Sequence, residues 1–391
     1  MKKLKIMWLH SHFSLPSGGV KYVLEAIREL SKNHDVDLYV QKALPKFEKQ
    51  FKDAGINITI MSRHSTGDVF FWLNFSRQIN KEIEFLKNRV KNYDLVISSI
   101  FPMNIEANSL NLPHLQSCFQ PFAFFWDPDM ISNLPFWERI FVKFLKSHFS
   151  KYDLEFTKKS NIISTVISDI QYWIQKVYER DSFVAHAGVD TDFFKKTENI
   201  ELQKKYAGKK IILHSTDWTP LKRTNWLIDQ FIDIFSKSED AILLITEIKI
   251  HGSERKSAIK KIKDNKISNI ELCGLIPEDL LPAYYSLADV TVYCGVGEGA
   301  GSASYVVLES LSCETPVIRT NLTRDEVEHG KTGFLYEKND ITNFKKYLIE
   351  LLNNNTLSMQ FGKEGREFII KNRSWKKFVE IWEQNIVKIL R

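Results

Sequence analysis

The chain has 391 residues, 43% of them hydrophobic and 26% charged, which excludes a disordered or fibrous protein and suits two globular domains. Its formal net charge of +6, from 54 basic and 48 acidic residues, is mild and dispersed. Such a charge permits an anionic partner such as a phosphate or a membrane surface. It gives no support to nucleic-acid binding, since no recognisable RNA or DNA module accompanies it, and we predict no nucleic-acid partner.

The chain begins with MKKLKIMWLH, which is basic and then apolar. The apolar part is short and is interrupted by His10 and His12, so we predict a first core strand rather than a signal peptide. No stretch approaches the roughly 20 continuous apolar residues of a membrane-spanning helix. Four widely separated cysteines lie in apolar runs, which predicts reduced, buried thiols in a cytoplasmic protein: Cys118, Cys273, Cys294 and Cys313.

The first half alternates short apolar runs with amphipathic stretches, beginning with KIMWLH, GGVKYVLEAIREL and VDLYV. Strands that alternate with helices at this spacing predict a parallel sheet with crossover helices. The first predicted helix begins at Gly18 and Gly19, close behind the first strand. Its predicted apolar face contains Tyr22, Val23, Ala26, Ile27 and Leu30.

The segment LPFWERIFVKFLKSHF predicts an amphipathic helix. Its apolar face holds Trp137, Ile140, Phe141, Phe144 and Leu145. Its basic face holds Arg139, Lys143 and Lys146. The same pattern is typical of a helix that lies on an anionic bilayer and of a core helix with a solvated back, and both interpretations stay open.

The alternation restarts at KKIILHS, which predicts a second Rossmann-like domain. We predict domains at 1–197 and 198–373, with a capped apolar helix over 374–391. In the second domain, the run from Ala283 to Leu335 predicts a strand, a Gly/Ser loop, a helix bearing Glu309 and another strand, an arrangement that binds nucleotides.

Lys222 and Arg223 lie between a predicted strand and a predicted helix. The phosphates of a bound nucleotide are anionic, and cations at such a position can bind them. The alternative for a Lys-Arg pair at a helix start is a solvated surface.

Four segments together resemble the family 4 retaining glycosyltransferases of the GT-B fold, also called glycosyl transferases group 1. They are AHAGVDTDFF, STDWTPLKRTNWLID, LCGLIPEDLLPAYYSLADVTVY and the stretch from Ala283 to Leu335. The resemblance implies an α/β fold of two Rossmann-like domains with parallel sheets and a cleft between them. It also implies a C-terminal helix that returns to the N-terminal domain, which would hold the acceptor, while the second domain would hold the donor.

The activity that the resemblance implies is metal-independent transfer of a hexose, with retention, from a nucleotide-diphosphate sugar to a glycan or lipid-linked acceptor. The donor would be a substrate, with no cofactor and no bound metal. The enzyme would be cytoplasmic, and the basic and aromatic first-domain surface adds an anionic membrane surface as a candidate partner. The alternative is a non-catalytic nucleotide-sugar binding or scaffolding protein of the same fold.

The resemblance also assigns site residues. The donor-binding candidates are Gly18, Gly19, Lys222, Arg223, Gly299, Gly301, Ser302, Ser304 and Glu309. Glu298 is the catalytic candidate, and Glu309 would hold the ribose hydroxyls unless it is a helix-capping acid. The acceptor-side candidates are His12, Gln120 and Asp127.

The sequence departs from the family pattern at three places. Asp217 replaces an Arg five residues before Lys222, and Gly301 replaces a Glu eight residues before Glu309. Glu298, eleven residues before Glu309, is the nearest acid to take that place. No His lies near Gln120, where many family members have one. These departures motivate the non-catalytic alternative.

Overall fold

The computed structural model describes residues 2–14, 18–132, 134–236, 240–296, 304–321 and 324–390. The chain forms two compact units. The first comprises Met1–Ala187 together with Trp375–Arg391, and the second comprises Gly188–Ser374. Strands and helices are numbered along the whole chain.

The first unit contains β1 (Lys5–Phe13), α1 (Gly18–Leu30), β2 (Asp35–Ala43), α2 (Pro45–Asp53), β3 (Asn57–Ile60), α3 (Val69–Leu73), α4 (Phe75–Lys87), β4 (Leu95–Ser99), α5 (Met103–Asn108), β5 (His114–Ser117), α6 (Ala123–Trp126), α7 (Pro128–Ser132), α8 (Phe136–Lys159), β6 (Ile162–Thr165), α9 (Ser168–Tyr178), β7 (Phe183–Val184) and the last helix of the chain, α17 (Trp375–Ile386).

The second unit contains α10 (Ile200–Lys205), β8 (Lys210–Thr216), α11 (Thr224–Phe235), β9 (Ala241–Glu247), α12 (Ser253–Asp264), β10 (Ile270–Gly274), α13 (Leu281–Leu287), β11 (Val290–Tyr293), α14 (Tyr305–Ser312), β12 (Val317–Thr320), β13 (Gly333–Tyr336), α15 (Ile341–Asn353) and α16 (Asn355–Asn372).

Within the described residues, the first unit has one seven-stranded parallel sheet in the order β3-β2-β1-β4-β5-β6-β7. The central strands read as continuous apolar runs because helices cover both of their faces. The predicted apolar face of α1 is buried in full. The sheet reverses its direction of winding between β1 and β4, which makes a topological switch point there.

Helix α17 completes the core of the first unit. Trp382 is buried and its ring stacks on Trp8 at 5.4 Å between centroids. Its indole N–H donates to Ser164 Oγ at 2.9 Å. Trp375 and Phe378 pack edge-on against Tyr22 of α1. A large aromatic surface therefore fixes the C-terminal helix to the unit that begins the chain.

The described part of the second unit has one six-stranded parallel sheet in the order β10-β9-β8-β11-β12-β13. Apolar layers cover both faces of this sheet. Its winding reverses between β8 and β11. Both units are thus doubly wound α/β structures, and the predicted fold class of two Rossmann-like parallel sheets is confirmed.

The first boundary between the units lies at Ala187–Gly188 instead of the predicted position after residue 197. The reason is packing: Phe194 is 1% exposed, in the core of the second unit. Its carbonyl accepts hydrogen bonds from Ser312 Oγ and from Arg366 Nη1. The segment AHAGVDTDFF therefore divides after its third residue, before the sequence turns polar.

Candidate functional site

The switch point of the second unit places two polar side chains together. In a doubly wound sheet, the loops after the two strands at the switch point diverge and leave a crevice at the carboxyl ends of those strands. Lys222 follows β8, and Tyr293 is the last residue of β11. The Lys222 ammonium donates to the Tyr293 hydroxyl at 3.1 Å. These residues connect the two strands at the point where this fold binds ligands.

A short turn fixes the position of Lys222. Asp217 accepts hydrogen bonds from the backbone N–H and the hydroxyl of Thr219, at 3.0 and 2.7 Å. A 3-10 turn then covers Pro220–Lys222, and Val296 N–H donates to the Leu221 carbonyl at 2.9 Å. Asp217, which stands where the family has an arginine, therefore shapes this turn through an Asx-type hydrogen bond.

The electrostatics of the pair keep Lys222 charged. Burial disfavours its ammonium, but Tyr293 and Asp217 outweigh that effect and raise the pKa of Lys222. Burial would also raise the pKa of Tyr293, yet the nearby charges of Lys222 and Arg319 lower it. Lys222 is therefore a protonated, partly buried cation at neutral pH, which is suited to a charge-assisted hydrogen bond with a phosphate.

Arg319 is a component of this site that the sequence analysis missed. It lies on β12 beside Tyr293 in the strand register, with its guanidinium 5.3 Å from the Tyr293 ring centroid. It forms a fully buried ion pair with Glu326. An arginine inside the apolar run TPVIRT was the available signal, because a buried charge requires a partner or a function.

Glu326 connects Arg319 to the start of α14. Its Oε1 accepts the backbone N–H of Ser304 at 2.7 Å, while its Oε2 pairs with Arg319. Ser304 is buried and directly precedes α14. A donor-binding candidate is thus held by the same buried ion pair that lies beside Tyr293.

Glu309 lies on α14 and is 5% exposed. Its Oε2 accepts the Tyr285 hydroxyl at 3.0 Å. The first turn of α14 contains no acidic residue, so the alternative of a helix-capping acid is wrong. Its assignment to the ribose stays a prediction.

Arg223 has partners other than Tyr293. Its Nη2 donates to Asn339 Oδ1 at 2.8 Å, and its guanidinium lies 4.4 Å from the Trp226 ring centroid. Its backbone is left-handed, with φ of 53°, at the residue before α11. Lys222 therefore donates a hydrogen bond to Tyr293, whereas the neighbouring Arg223 donates one to Asn339.

Four candidates lie outside the described residues: Glu298, Gly299, Gly301 and Ser302. Their roles, including that of Glu298 as the catalytic candidate, stay predictions. Among the residues that the structure describes, no group of three or more His, Cys, Asp or Glu side chains could hold a metal ion. The same residues include no helix long and apolar enough to span a membrane.

Two histidines lie on β1 at the switch point of the first unit. His10 Nδ1 lies 2.9 Å from Ser99 Oγ, across β1 and β4, and burial lowers the pKa of His10 to about 3. His12 lies two residues further along β1, and burial together with Lys42 lowers its pKa, against the opposing charge of Asp68. Both imidazoles are therefore neutral at neutral pH.

The other first-unit candidates differ in exposure. Gly18 and Gly19 begin α1 and are exposed and half-buried, respectively. Gln120 is half-buried after β5. Asp127 is 2% exposed, and its Oδ1 accepts the Met130 N–H at 2.8 Å in the first turn of α7. The Asp127 carboxylate therefore has a structural role as a helix cap, which the sequence analysis did not predict.

The architecture and the site define a two-unit, doubly wound α/β protein with a cation at the switch point of its second unit. Residues 195–368 match the family described as Glycosyl transferases group 1. This match lies within the second unit and covers less than half of the chain, and for that unit the resemblance drawn from the motifs is confirmed.

Sequence relatives match a part of the chain. N-acetyl-alpha-D-glucosaminyl L-malate synthase of Bacillus anthracis is 24% identical over 52% of this chain and 52% of its own length. Poly(ribitol-phosphate) alpha-N-acetylglucosaminyltransferase of Staphylococcus aureus is 26% identical over 46% of this chain and 36% of its own length. The chain thus spans about half, or less, of the length of these curated relatives.

Solved structures match the whole fold. A glycosyltransferase of Rickettsia africae has a TM-score of 0.79 and is 18% identical. The match covers 100% of this chain and 100% of that protein. Anabaena HepE in complex with UDP and glucose has a TM-score of 0.76 at 12% identity, with 98% of this chain and 100% of HepE covered. The fold is therefore the one that these GT-B proteins share.

Proposed function

We propose that this chain is a glycosyltransferase that transfers a hexose from a nucleotide-diphosphate sugar to a glycan or lipid-linked acceptor. The observation that carries the proposal is the hydrogen bond from Lys222 to Tyr293, which places a cation at the switch point of the group 1 unit. The structure of Anabaena HepE with UDP and glucose supports a nucleotide-sugar donor.

Lys222 has the central electrostatic role in this proposal. When the bond between the sugar and the diphosphate breaks, the bonding electrons stay with the phosphate oxygen, and an additional negative charge develops on the terminal phosphate of the leaving nucleotide. A preorganised ammonium at that position stabilises this charge, and no divalent ion is then required. Tyr293 holds the ammonium in place, while Arg319 and Glu326 hold Tyr293 and Ser304.

The stereochemical proposal is retention. The acceptor oxygen bonds to the anomeric carbon on the face from which the phosphate leaves. The proton of the acceptor hydroxyl passes to an oxygen of the leaving phosphate, so a protein base is not required. The neutral His10 and His12 are in accord with a first-unit edge that contacts hydroxyl groups instead of phosphates.

The donor is identified by thermal shift with UDP-, GDP-, ADP- and dTDP-sugars, followed by hydrolysis of any stabilising donor with and without EDTA. The expected result is stabilisation by one nucleotide class and slow, EDTA-insensitive release of the sugar. Turnover that EDTA abolishes would contradict metal independence. An absence of stabilisation by every donor would contradict the proposal itself.

The second candidate is a non-catalytic nucleotide-sugar binding protein of the same fold. Asp217 favours it, because this residue shapes the turn before Lys222 and adds no positive charge there. Donor binding without turnover, with every acceptor tried, would support this candidate. Donor hydrolysis that the Glu298→Gln substitution abolishes would exclude it.

A further inference from the structure

The first half of α8 exposes an unusual amount of apolar surface. Val142 and Leu145 face inward and are 4% and 1% exposed, and Phe149 packs on Trp72 at 5.1 Å between ring centroids. Five large apolar side chains in this half of the helix are exposed: Phe136 (60% exposed), Trp137 (77%), Ile140 (46%), Phe141 (36%) and Phe144 (53%).

The exposure of these side chains tests the core-helix interpretation of the amphipathic pattern. On the predicted apolar face, Leu145 is buried, whereas Trp137, Ile140, Phe141 and Phe144 are exposed. A core helix with a solvated back would bury that whole face against its neighbours. The interpretation of α8 as a simple core helix is therefore wrong for its first half.

The neighbouring helix α3 shows the same division. Phe71 and Trp72 are buried in a cluster that also contains Leu145. The remaining large side chains of α3 are Val69 (57% exposed), Phe70 (64%) and Leu73 (75%). Two helices that share one core therefore both present apolar side chains to the outside. The α3–α8 apolar surface is defined by Val69, Phe70, Leu73, Phe136, Trp137, Ile140, Phe141 and Phe144.

Single exposed apolar residues are normal on a protein surface, but a concentration of them marks an interaction site. Burial of such side chains is favourable by roughly 25 cal/mol per Å² of apolar area removed from water. A chain that leaves eight described side chains of this kind exposed on two packed helices therefore has a strong drive to cover them.

The charges that surround this surface indicate what covers it. Exposed bases lie on α4 and α8: Arg77, Lys81, Lys143, Lys146 and Lys151. Within the described 136–151 segment of α8, Glu138 is the one acidic residue. Asp68, beside α3, is paired with Lys42. Glu84 on α4 is also exposed, so the exposed bases of α4 and of this segment outnumber the exposed acids, which favours an anionic partner and disfavours a second copy of the same face.

We propose that the α3–α8 apolar surface docks the chain on a bilayer that contains anionic lipids. Trp and Phe side chains enter the interface between head groups and acyl chains, and the flanking lysines bind lipid phosphates. No described helix can span a membrane, so α8 lies in the plane of the bilayer surface. None of the residues assigned to sugar transfer belongs to this surface, so the inference stands apart from the proposed function.

The test is co-sedimentation of the full chain with vesicles of phosphatidylcholine, with and without phosphatidylglycerol. The wild-type chain is expected to bind the anionic vesicles and to bind neutral ones weakly. The triple substitution Trp137→Ser, Phe141→Ser and Phe144→Ser is expected to weaken binding by at least about tenfold. Its matched control is Tyr172→Ser, which replaces a side chain that is 73% exposed on α9 of the same unit.

Two further variants keep the test decisive if the triple variant does not fold. Lys143→Gln with Lys146→Gln removes charge without touching apolar contacts, and each lysine is expected to contribute about fivefold to binding of anionic vesicles. Phe70→Ser with Leu73→Ser tests the contribution of α3 and is also expected to weaken binding. Thermal unfolding of each variant, monitored by circular dichroism, confirms that it is folded.

Equal sedimentation of the triple variant and the wild-type chain would overturn the proposal, as would failure of the wild-type chain to bind anionic vesicles. Self-association in analytical ultracentrifugation that the triple variant loses, without vesicle binding, would assign the surface to a second copy instead. Unchanged binding of the Phe70→Ser, Leu73→Ser variant would remove α3 from the docking surface.

Discussion

The two units share one topology and differ in what they place at its switch point. In each described sheet, the first strand of the unit lies between the second and the fourth. Across that point the first unit places His10 beside Ser99, whereas the second places Lys222 beside Tyr293. Each unit thus has a crevice at the same place in its sheet. Neutral imidazoles lie there in the first unit, and the Lys222 ammonium lies there in the second.

The units also treat buried ionisable groups differently. In the first, Glu106 is fully buried, and burial together with Glu82 raises its pKa well above the usual range, so it is neutral. In the second, Arg319 and Glu326 form a fully buried ion pair. A buried ionisable group either becomes neutral or requires a partner of opposite charge. Only a group that keeps its charge can interact electrostatically with a charged ligand.

The largest effect is expected from Arg319→Met. This change removes the cation that is ion-paired with the buried Glu326 carboxylate and leaves that carboxylate with the Ser304 N–H and the nearby charge of Arg373. Breaking a buried pair from one side costs about 3–5 kcal/mol in the free energy of unfolding. Urea denaturation of the full chain measures this loss in the free energy of unfolding.

The control for this prediction is Lys159→Met, which breaks an exposed ion pair with Glu155 on α8. Exposed pairs contribute about 0–1 kcal/mol, so this variant is expected to unfold almost as the wild-type chain does. The double variant Arg319→Met with Glu326→Gln should recover much of the lost stability. An effect of Arg319→Met as small as that of the control would mean that the second unit does not depend on its buried pair.

The next effect in size is that of Lys222→Ala on donor binding. If the ammonium donates to the diphosphate, its loss weakens binding of UDP, or of the nucleotide class found by thermal shift, by about 1.5–3 kcal/mol. Isothermal titration calorimetry gives the dissociation constant. Lys256→Ala, an exposed position on α12, serves as the control. An unchanged dissociation constant for Lys222→Ala would remove this residue from the donor site. The two switch points would then no longer differ by a cation that binds the donor.

The sequence predicted the features that depend on local pattern. Alternating strands and helices indicated both sheets, and the position of Lys222 after a strand indicated the crevice. Arg319 was missed because its partner, Glu326, lies seven residues further on, and the structure is needed to bring the two together. The amphipathic pattern of α8 could not settle its exposure, because residues of other helices that share its apolar cluster decide which part of that face is covered.

A smaller effect is expected from Glu106→Gln, and it depends on pH. The folded state holds a proton on Glu106 that the unfolded chain releases above about pH 4.3. The free energy of unfolding of the wild-type chain therefore falls as pH rises from that value toward the folded-state pKa. Glutamine carries no such proton, so the variant is expected to lose less stability between about pH 5 and about pH 8.

Urea denaturation at those two values of pH measures this difference. Glu84→Gln, at an exposed position of the same unit, controls for the change in formal charge. Burial also raises the pKa of Asp153 to about 6, so this residue adds a loss of stability with rising pH. That loss is the same in the wild-type chain and in both variants, so it cancels when they are compared. An equal loss of stability in Glu106→Gln and wild type would show that the first unit holds this carboxyl in its charged form.

The smallest expected effect is an absence of titration at the first-unit edge. Because burial lowers the pKa of His10 to about 3, its ring resonance should stay constant in NMR spectra between about pH 5 and about pH 8. His12 should titrate below the midpoint of about 6.5 found for a free histidine reference in the same sample. His10→Gln and His12→Gln assign the two signals. A shift of the His10 signal in this range would place a positive charge on the first-unit edge, and the two switch points would then differ in shape instead of in charge.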